Sequence, residues 1–171
     1  MPLLLNRSEV VIYADDTTLY LSSDSAVDLF AVLNQNLADL NNWFKSNYLT
    51  LNANKTNYTV ISNRIVPQHL NIVINGLNQE RCSSFNFLGI IIDEKLIFKT
   101  HISMIQKKVS KSQGIIYKLH FLPQDVLKLL YFSLVYPYLI YCIHVWGSSS
   151  KTNLNGLFIS QKMIMRVIFV L

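Results

Sequence analysis

The sequence predicts an α+β fold, an antiparallel sheet with a backing helix followed by an all-helical part. Three observations carry that prediction. Short β-prone runs and tight-turn signals extend from Glu9 only as far as Asp93. A single long segment among them, Ala26 to Phe44, places its apolar residues at helical spacing. Beyond about residue 100 the spacing is helical throughout. With 51% hydrophobic and 15% charged residues in 171, the chain has ample material for a core, so disorder is not its default.

The elements follow in order. Glu9–Tyr13 and Thr17–Leu21 are β-prone runs on either side of Asp15 and Asp16, and predict a hairpin with an acidic tip. Ser23-Asp24-Ser25 offers N-cap chemistry for a helix. In that helix Ala26, Leu29, Phe30, Leu33, Leu37, Leu40 and Phe44 share one face, with Asp28, Gln35, Asp39 and Asn42 opposite. Asn52–Asn57 reads as a turn and Tyr58–Ser62 as a strand. Leu70–Ile74 and Leu77–Glu80 flank Asn75-Gly76, the strongest short-range hairpin signal. Ser84–Asp93 reads as a further strand with Gly89 in its interior, where glycine commonly marks a bulge or a close backbone approach. Three helices complete the chain: His101–Leu119, Pro123–Leu134 or beyond, and Leu154–Phe169, with Gly147-Ser148-Ser149-Ser150 separating the last two. The expected division is therefore 1–98 and 99–171. Both ends read as cut, since Ile164–Leu171 stops mid-helix and the chain begins one strand before the acidic turn.

Charge is unevenly distributed. Residues 1–94 hold five Lys/Arg against nine Asp/Glu, a net of −4, whereas residues 95–171 hold ten against Asp125 alone, a net of +9. Such a split suggests a basic surface for a polyanion beside a half with acidic groups. Cys82 and Cys142 make no disulfide framework and fit a reducing interior, and His101, His120 and His144 show no zinc spacing. The apolar run Leu129–Ile143 is shorter than the roughly 20 residues a bilayer requires, and Pro137 interrupts it. Its four tyrosines suit a buried packing helix, and no signal peptide precedes it. The expected location is intracellular, in the nucleus or cytoplasm, with no membrane contact.

Two segments point to chemistry. Adjacent carboxylates repel, so Asp15 and Asp16 are easiest to rationalise beside a cation. Mg²⁺ prefers oxygen ligands and is typically held by one or two carboxylates plus substrate phosphates. Because neighbouring strand residues point to opposite faces, the turn must redirect one of the pair for both to serve one site. An ordinary polar turn is the bland alternative. On the helix from His101, Lys107, Lys111 and Lys118 fall within about 40° of one another, with Lys108 to one side. Ile102, Ile105, Val109 and Ile116 lie roughly opposite, giving a basic ridge above an apolar floor suited to a phosphate backbone.

Four segments in one order carry a family resemblance. Tyr13-Ala14-Asp15-Asp16 resembles the signature of reverse transcriptases in the form found in non-LTR (LINE- and jockey-like) retrotransposons. Leu49-Thr50-Leu51-Asn52-Ala53-Asn54-Lys55-Thr56 is similar to that family's LxLNxxKT stretch. Phe87-Leu88-Gly89-Ile90, continuing through Asp93 and Leu96 to His101-Ile102, is similar to its FLGxxxDxxLxxxxHI stretch. Leu154, Leu157, Gln161-Lys162 and Arg166-Val167-Ile168 resemble the helix beyond its thumb.

The resemblance implies that 1–98 is the C-terminal part of a reverse-transcriptase palm, with the acidic hairpin and primer-grip region. Residues 99–171 would be a helical thumb and the start of the region beyond it. It implies RNA-directed DNA synthesis in a parent enzyme, with Mg²⁺ or Mn²⁺, an RNA template, a DNA primer or duplex, and deoxynucleoside triphosphates. Asp15 and Asp16 would hold metal, Asp15 more directly, and Tyr13 would pack beside the primer end. Lys55 would assist the pyrophosphate leaving group, Phe87, Leu88 and Gly89 would grip the primer, and Lys107, Lys108, Lys111 and Lys118 would hold the duplex. The family's earlier palm aspartate, fingers and nucleotide-binding helix do not fit within Met1–Val10, so the chain alone is expected to be inactive. The competing reading is a non-catalytic nucleic-acid-binding module, a remnant or a repurposed thumb.

Overall fold

The computed structural model describes residues 7–63, 67 and 70–169. Packing divides the chain into two units, Met1–Ser83 and Ser84–Leu171.

In the first unit, β1 (Glu9–Tyr13) and β2 (Asp16–Tyr20) form an antiparallel hairpin in which Tyr13 pairs with Asp16. Helix α1 (Ala26–Ser46) starts where expected, because the Ser25 hydroxyl accepts the Asp28 amide proton. The Asp28 carboxylate accepts from the Ser23 hydroxyl and pairs with Arg7, and these partners lower its pKa in that order of strength. The predicted apolar face turns inward, with Phe30 and Leu40 buried and Leu29, Leu33 and Leu37 half-buried. The helix ends in a Schellman motif: the Leu49 N–H reaches the Phe44 carbonyl, the Tyr48 N–H reaches that of Lys45, and Tyr48 takes a left-handed φ of 57°.

The remaining strands of this unit are two residues each. The Asn75-Gly76 turn forms as expected, with φ of 53° and 77°, between β4 (Val73–Ile74) and β5 (Leu77–Asn78). The strand expected at Tyr58–Ser62 is reduced to β3 (Asn57–Tyr58), because its parallel partner β6 (Glu80–Arg81) offers only two ladder positions. Side chains of α1 supply what the short strands lack. Asn34 donates to the Asn71 carbonyl at 3.0 Å and accepts from the Val73 amide at 2.9 Å. Asn41 donates to the Asn75 side chain at 2.8 Å.

The second unit opens with β7 (Ser84–Phe87) and β8 (Ile90–Asp93), an antiparallel hairpin in which Phe87 pairs with Ile90. The continuous strand expected over Ser84–Asp93 is thus folded in two, and Gly89 sits at the turn rather than inside a strand. Leu88 and Gly89 have φ of 48° and 86°, the two positive values that a type I′ turn requires.

Helices α2 (Lys99–Lys118), α3 (Gln124–Leu134), α4 (Tyr136–Ile140), α5 (Ile143–Trp146) and α6 (Lys151–Phe169) complete the unit. Their core gathers Ile102, Ile105, Val109 and Ile116 from α2, Leu127 and Tyr131 from α3, Trp146 from α5, and Leu157, Ile164 and Ile168 from α6. Ile90 of β8 belongs to the same cluster, so the hairpin packs with the helices C-terminal to it. Helices α2 and α6 approach closely at Gly156, where an added Cβ would stand 2.5 Å from the Gln106 side chain.

The apolar run Leu129–Ile143 is not one buried helix. It breaks after Leu134, and Pro137 occupies the first turn of α4, where its missing N–H costs nothing. Leu129, Phe132, Tyr136, Ile140 and Tyr141 are all exposed. No helix among the described residues is long and apolar enough to cross a membrane. In coarse outline, then, the chain is a mixture of helices and small sheets, and among the described residues its strands pair two by two.

Candidate functional site

The acidic pair stands at the end of a two-residue turn. Ala14 and Asp15 form that turn, Asp16 is the first residue of β2, and Ala14 carries a left-handed φ of 52°. Tyr13, Asp15 and Asp16 are all exposed. Among the described residues neither carboxylate accepts a hydrogen bond or an ion pair. Nothing within the hairpin therefore competes for their oxygens, and the donor set suits a hard divalent cation. Among the described residues no group of three or more His, Cys, Asp or Glu side chains is arranged to hold a metal. Two carboxylates would leave most positions of a divalent ion to substrate phosphate and water.

Lys55 closes a single 3-10 turn, Ala53–Lys55, which is fixed by the Thr56 hydroxyl donating to the Asn52 carbonyl at 2.9 Å. Its side chain is exposed, and no hydrogen bond or ion pair joins it to Asp15 or Asp16.

Phe87, Leu88 and Gly89 come together at the tip of the β7–β8 hairpin, with Phe87 half-buried and Leu88 and Gly89 exposed. The base of that hairpin is fixed by Asp93. Its carboxylate accepts the backbone amides of Lys95, Ile97 and Phe98, at 3.1, 3.1 and 2.6 Å. Burial alone would raise the carboxyl pKa, but the amide hydrogen bonds outweigh it and hold the group below its ordinary value. His101, in the first turn of α2, is buried edge-on to Trp146 and accepts the Ile91 amide proton on Nδ1 at 3.3 Å. Its Nε2 has no partner among the described residues, and burial, followed by the charge of Lys108, lowers its pKa. Asp93 and His101 thus act as structural ties between the hairpin and α2.

The predicted lysine ridge lies on the exposed side of α2 and borders a shallow groove of about 450 Å³. Lys107, Lys108 and Lys111 line it together with Lys99, Thr100 and Ser103. Among the described residues no carboxylate lines it. The Lys108 ammonium also lies 5.1 Å from the centre of the Tyr138 ring. Lys118 shares the helix face but stands outside the groove. Lys99 escapes the sequence pattern because it precedes His101, where the predicted helix begins, and because at 100° per residue it falls about 80° from Lys107 and so outside the ridge.

A family model described as reverse transcriptase (RNA-dependent DNA polymerase) matches residues 2–92, a stretch that includes the acidic hairpin. The RNA-directed DNA polymerase from mobile element jockey of Drosophila funebris is 28% identical over 170 residues, covering 96% of this chain. The jockey protein of Drosophila melanogaster is 28% identical over 166 residues and 92% of this chain. A probable RNA-directed DNA polymerase from transposon BS of the same fly is 26% identical over 161 residues and 91% of this chain. The chain spans 18% of the length of each of these relatives. No solved structure matches it.

Proposed function

The chain belongs to the reverse transcriptase family, and on that premise we propose that it is the later palm and thumb portion of a non-LTR retrotransposon RNA-directed DNA polymerase. Residues 1–98 correspond to the palm with its acidic hairpin and primer-grip region, and 99–171 to the thumb and the start of the region beyond it. The observation that carries this reading is the pairing of two features in one chain. One is an exposed acidic turn with unengaged carboxylates, and the other is a groove lined by four lysines and, among the described residues, no acid.

Each feature has a task in template-directed synthesis. Asp15 and Asp16 would hold divalent metal, either Mg²⁺ or Mn²⁺, which would supply charge stabilisation for phosphoryl transfer. Tyr13, across the hairpin from Asp16, packs beside the primer end. Lys55 assists the pyrophosphate leaving group, since a lysine stabilises developing phosphate charge by proximity. Phe87, Leu88 and Gly89 meet the primer strand. Lys107, Lys108, Lys111 and Lys118, joined by Lys99, hold the template–primer backbone, with affinity but without base specificity.

Binding of the 171-residue polypeptide to an RNA–DNA hybrid at several salt concentrations tests the division of labour. Replacing Asp15 and Asp16 by Asn leaves hybrid affinity unchanged but removes Mn²⁺ binding at the hairpin. Replacing Lys107, Lys108 and Lys111 by Ala weakens hybrid binding, most strongly at low salt. Hybrid affinity unchanged by the lysine replacements would overturn the assignment of the groove. Retained Mn²⁺ binding in the Asn variant would overturn that of the acids.

A further inference from the structure

The tip of the β7–β8 hairpin is tied down by a residue far along the chain. The Tyr141 hydroxyl donates to the Leu88 carbonyl at 2.6 Å. Its ring lies against Gly89, with Cε1 3.6 Å from where a Cβ would stand. Tyr141 sits between α4 and α5 and is itself fixed, because its carbonyl accepts the Trp146 indole N–H at 2.8 Å. Trp146 packs edge-on to His101, and His101 accepts the Ile91 amide of β8. The contacts close a circuit from the hairpin through α2 and α5 back to the hairpin tip.

The carbonyl that Tyr141 holds belongs to the strained residue of the turn. Leu88 and Gly89 are the two central residues, so the peptide between them carries the Leu88 carbonyl. Gly89 adopts its positive φ freely, but Leu88 stands at a left-handed φ of 48°, which an L side chain disfavours. The sequence Leu88-Gly89 therefore does not by itself favour this turn. The Tyr141 hydroxyl, by holding the Leu88 carbonyl, helps to keep it.

We propose that Tyr141 is a positioning residue that locks the central peptide of the Leu88-Gly89 turn and so orients the hairpin tip toward a bound nucleic-acid strand. This rests on the reading of that tip as the primer-contacting element. Tyr141 would not touch the strand; it acts through Leu88 and Gly89.

The test is a set of variants of the full 171-residue chain, titrated with an RNA–DNA hybrid that has a recessed DNA 3′ end. Tyr141→Phe keeps the ring and removes only the donor. It weakens hybrid binding about fivefold, the worth of one hydrogen bond, with no change in salt dependence because no charge is lost. Its Gly89 amide resonance shifts or broadens as the turn begins to exchange. Leu88→Asn restores the lock by another route, since Asn-Gly itself favours type I′. In the Leu88→Asn background the Tyr141→Phe change then costs little. An equal cost in both backgrounds, or an unperturbed Gly89 resonance in Tyr141→Phe, overturns the proposal. Leu88→Asp separates the two levels. If it binds the hybrid as the unaltered chain does, the primer-contact reading falls and the proposal with it. If it weakens binding while Tyr141→Phe does not, the reading stands and the lock alone is overturned.

Discussion

Tyr48 pays a conformational penalty for which it receives nothing in packing. It occupies the left-handed position just beyond α1, yet its side chain is 98% exposed. A left-handed conformation costs an L-residue roughly 1–2 kcal/mol, part of which glycine returns through its greater freedom when unfolded. Tyr48→Gly should therefore raise stability by about 0.5–1 kcal/mol, read from the midpoint of urea unfolding. Asp93 is the opposite case, a side chain whose charge is fully engaged. Because its folded-state pKa is lowered, its contribution is complete above about pH 4 and is lost as the pH falls through that lower value. Asp93→Ala should cost about 2 kcal/mol at pH 7, and its stability should converge on that of the unaltered chain in acid. An equal gap at pH 7 and pH 2.5 would show that Asp93 acts through packing rather than charge. Sequence foretold some of these residues and not others. Asn75-Gly76 announces its turn because both residues tolerate positive φ. Tyr48 and Leu88 do not, since no local preference places a bulky side chain there; the backbone hydrogen bonds of the helix cap impose it on Tyr48, and the bond from Tyr141 holds it at Leu88.

Helix α2 was legible because its two faces have separate tasks. Ile102, Ile105, Val109 and Ile116 are all buried, and the lysines opposite are all exposed. The segment α3 to α5 was not, because hydrophobicity without periodicity does not say which side faces in. Its tyrosines suggested a buried helix, whereas the break near Pro137 turns several of them outward. In α1 the apolar stripe was plain, but the use of Asn34 was not. A polar residue on a helix reads as solvated, while here it pairs with a neighbouring backbone as a strand would. Asn34→Ala leaves the Val73 amide without its protein acceptor and should cost about 0.5–1.5 kcal/mol. Hydrogen exchange gives the sharper signature: the Val73 amide should lose protection while amides within α1 keep theirs.

At the scale of the whole molecule the charge asymmetry becomes a measurable slope. Each lysine that neutralises a phosphate contributes about 0.9 to the salt dependence of duplex binding. Removing Lys99, Lys107, Lys108 and Lys111 together should lower the slope of log affinity against log salt by about 3–4. A fall of 1 or less would mean that the groove is not where the backbone lies. The purified 171-residue chain, given Mg²⁺, a primer–template and nucleotides, should incorporate none, because no third carboxylate joins Asp15 and Asp16 among the described residues. Robust incorporation would contradict that expectation. Residue types alone made the acidic turn and the lysines visible, since charge placed where it is not needed for folding stands out. What they left hidden was the tie between Asp93, His101 and Tyr141, whose members are far apart in the chain and individually ordinary.

The place where packing parts company, between Ser83 and Ser84, has a practical corollary. Anyone excising the helical portion would be tempted to begin at Lys99, where the first of its helices starts. That scissor line would discard Ile90, which plugs the interior, and with it the loop before the helix and its carboxylate anchor. A piece starting at Ser84 retains both, and should express as a folded fragment where the shorter one aggregates.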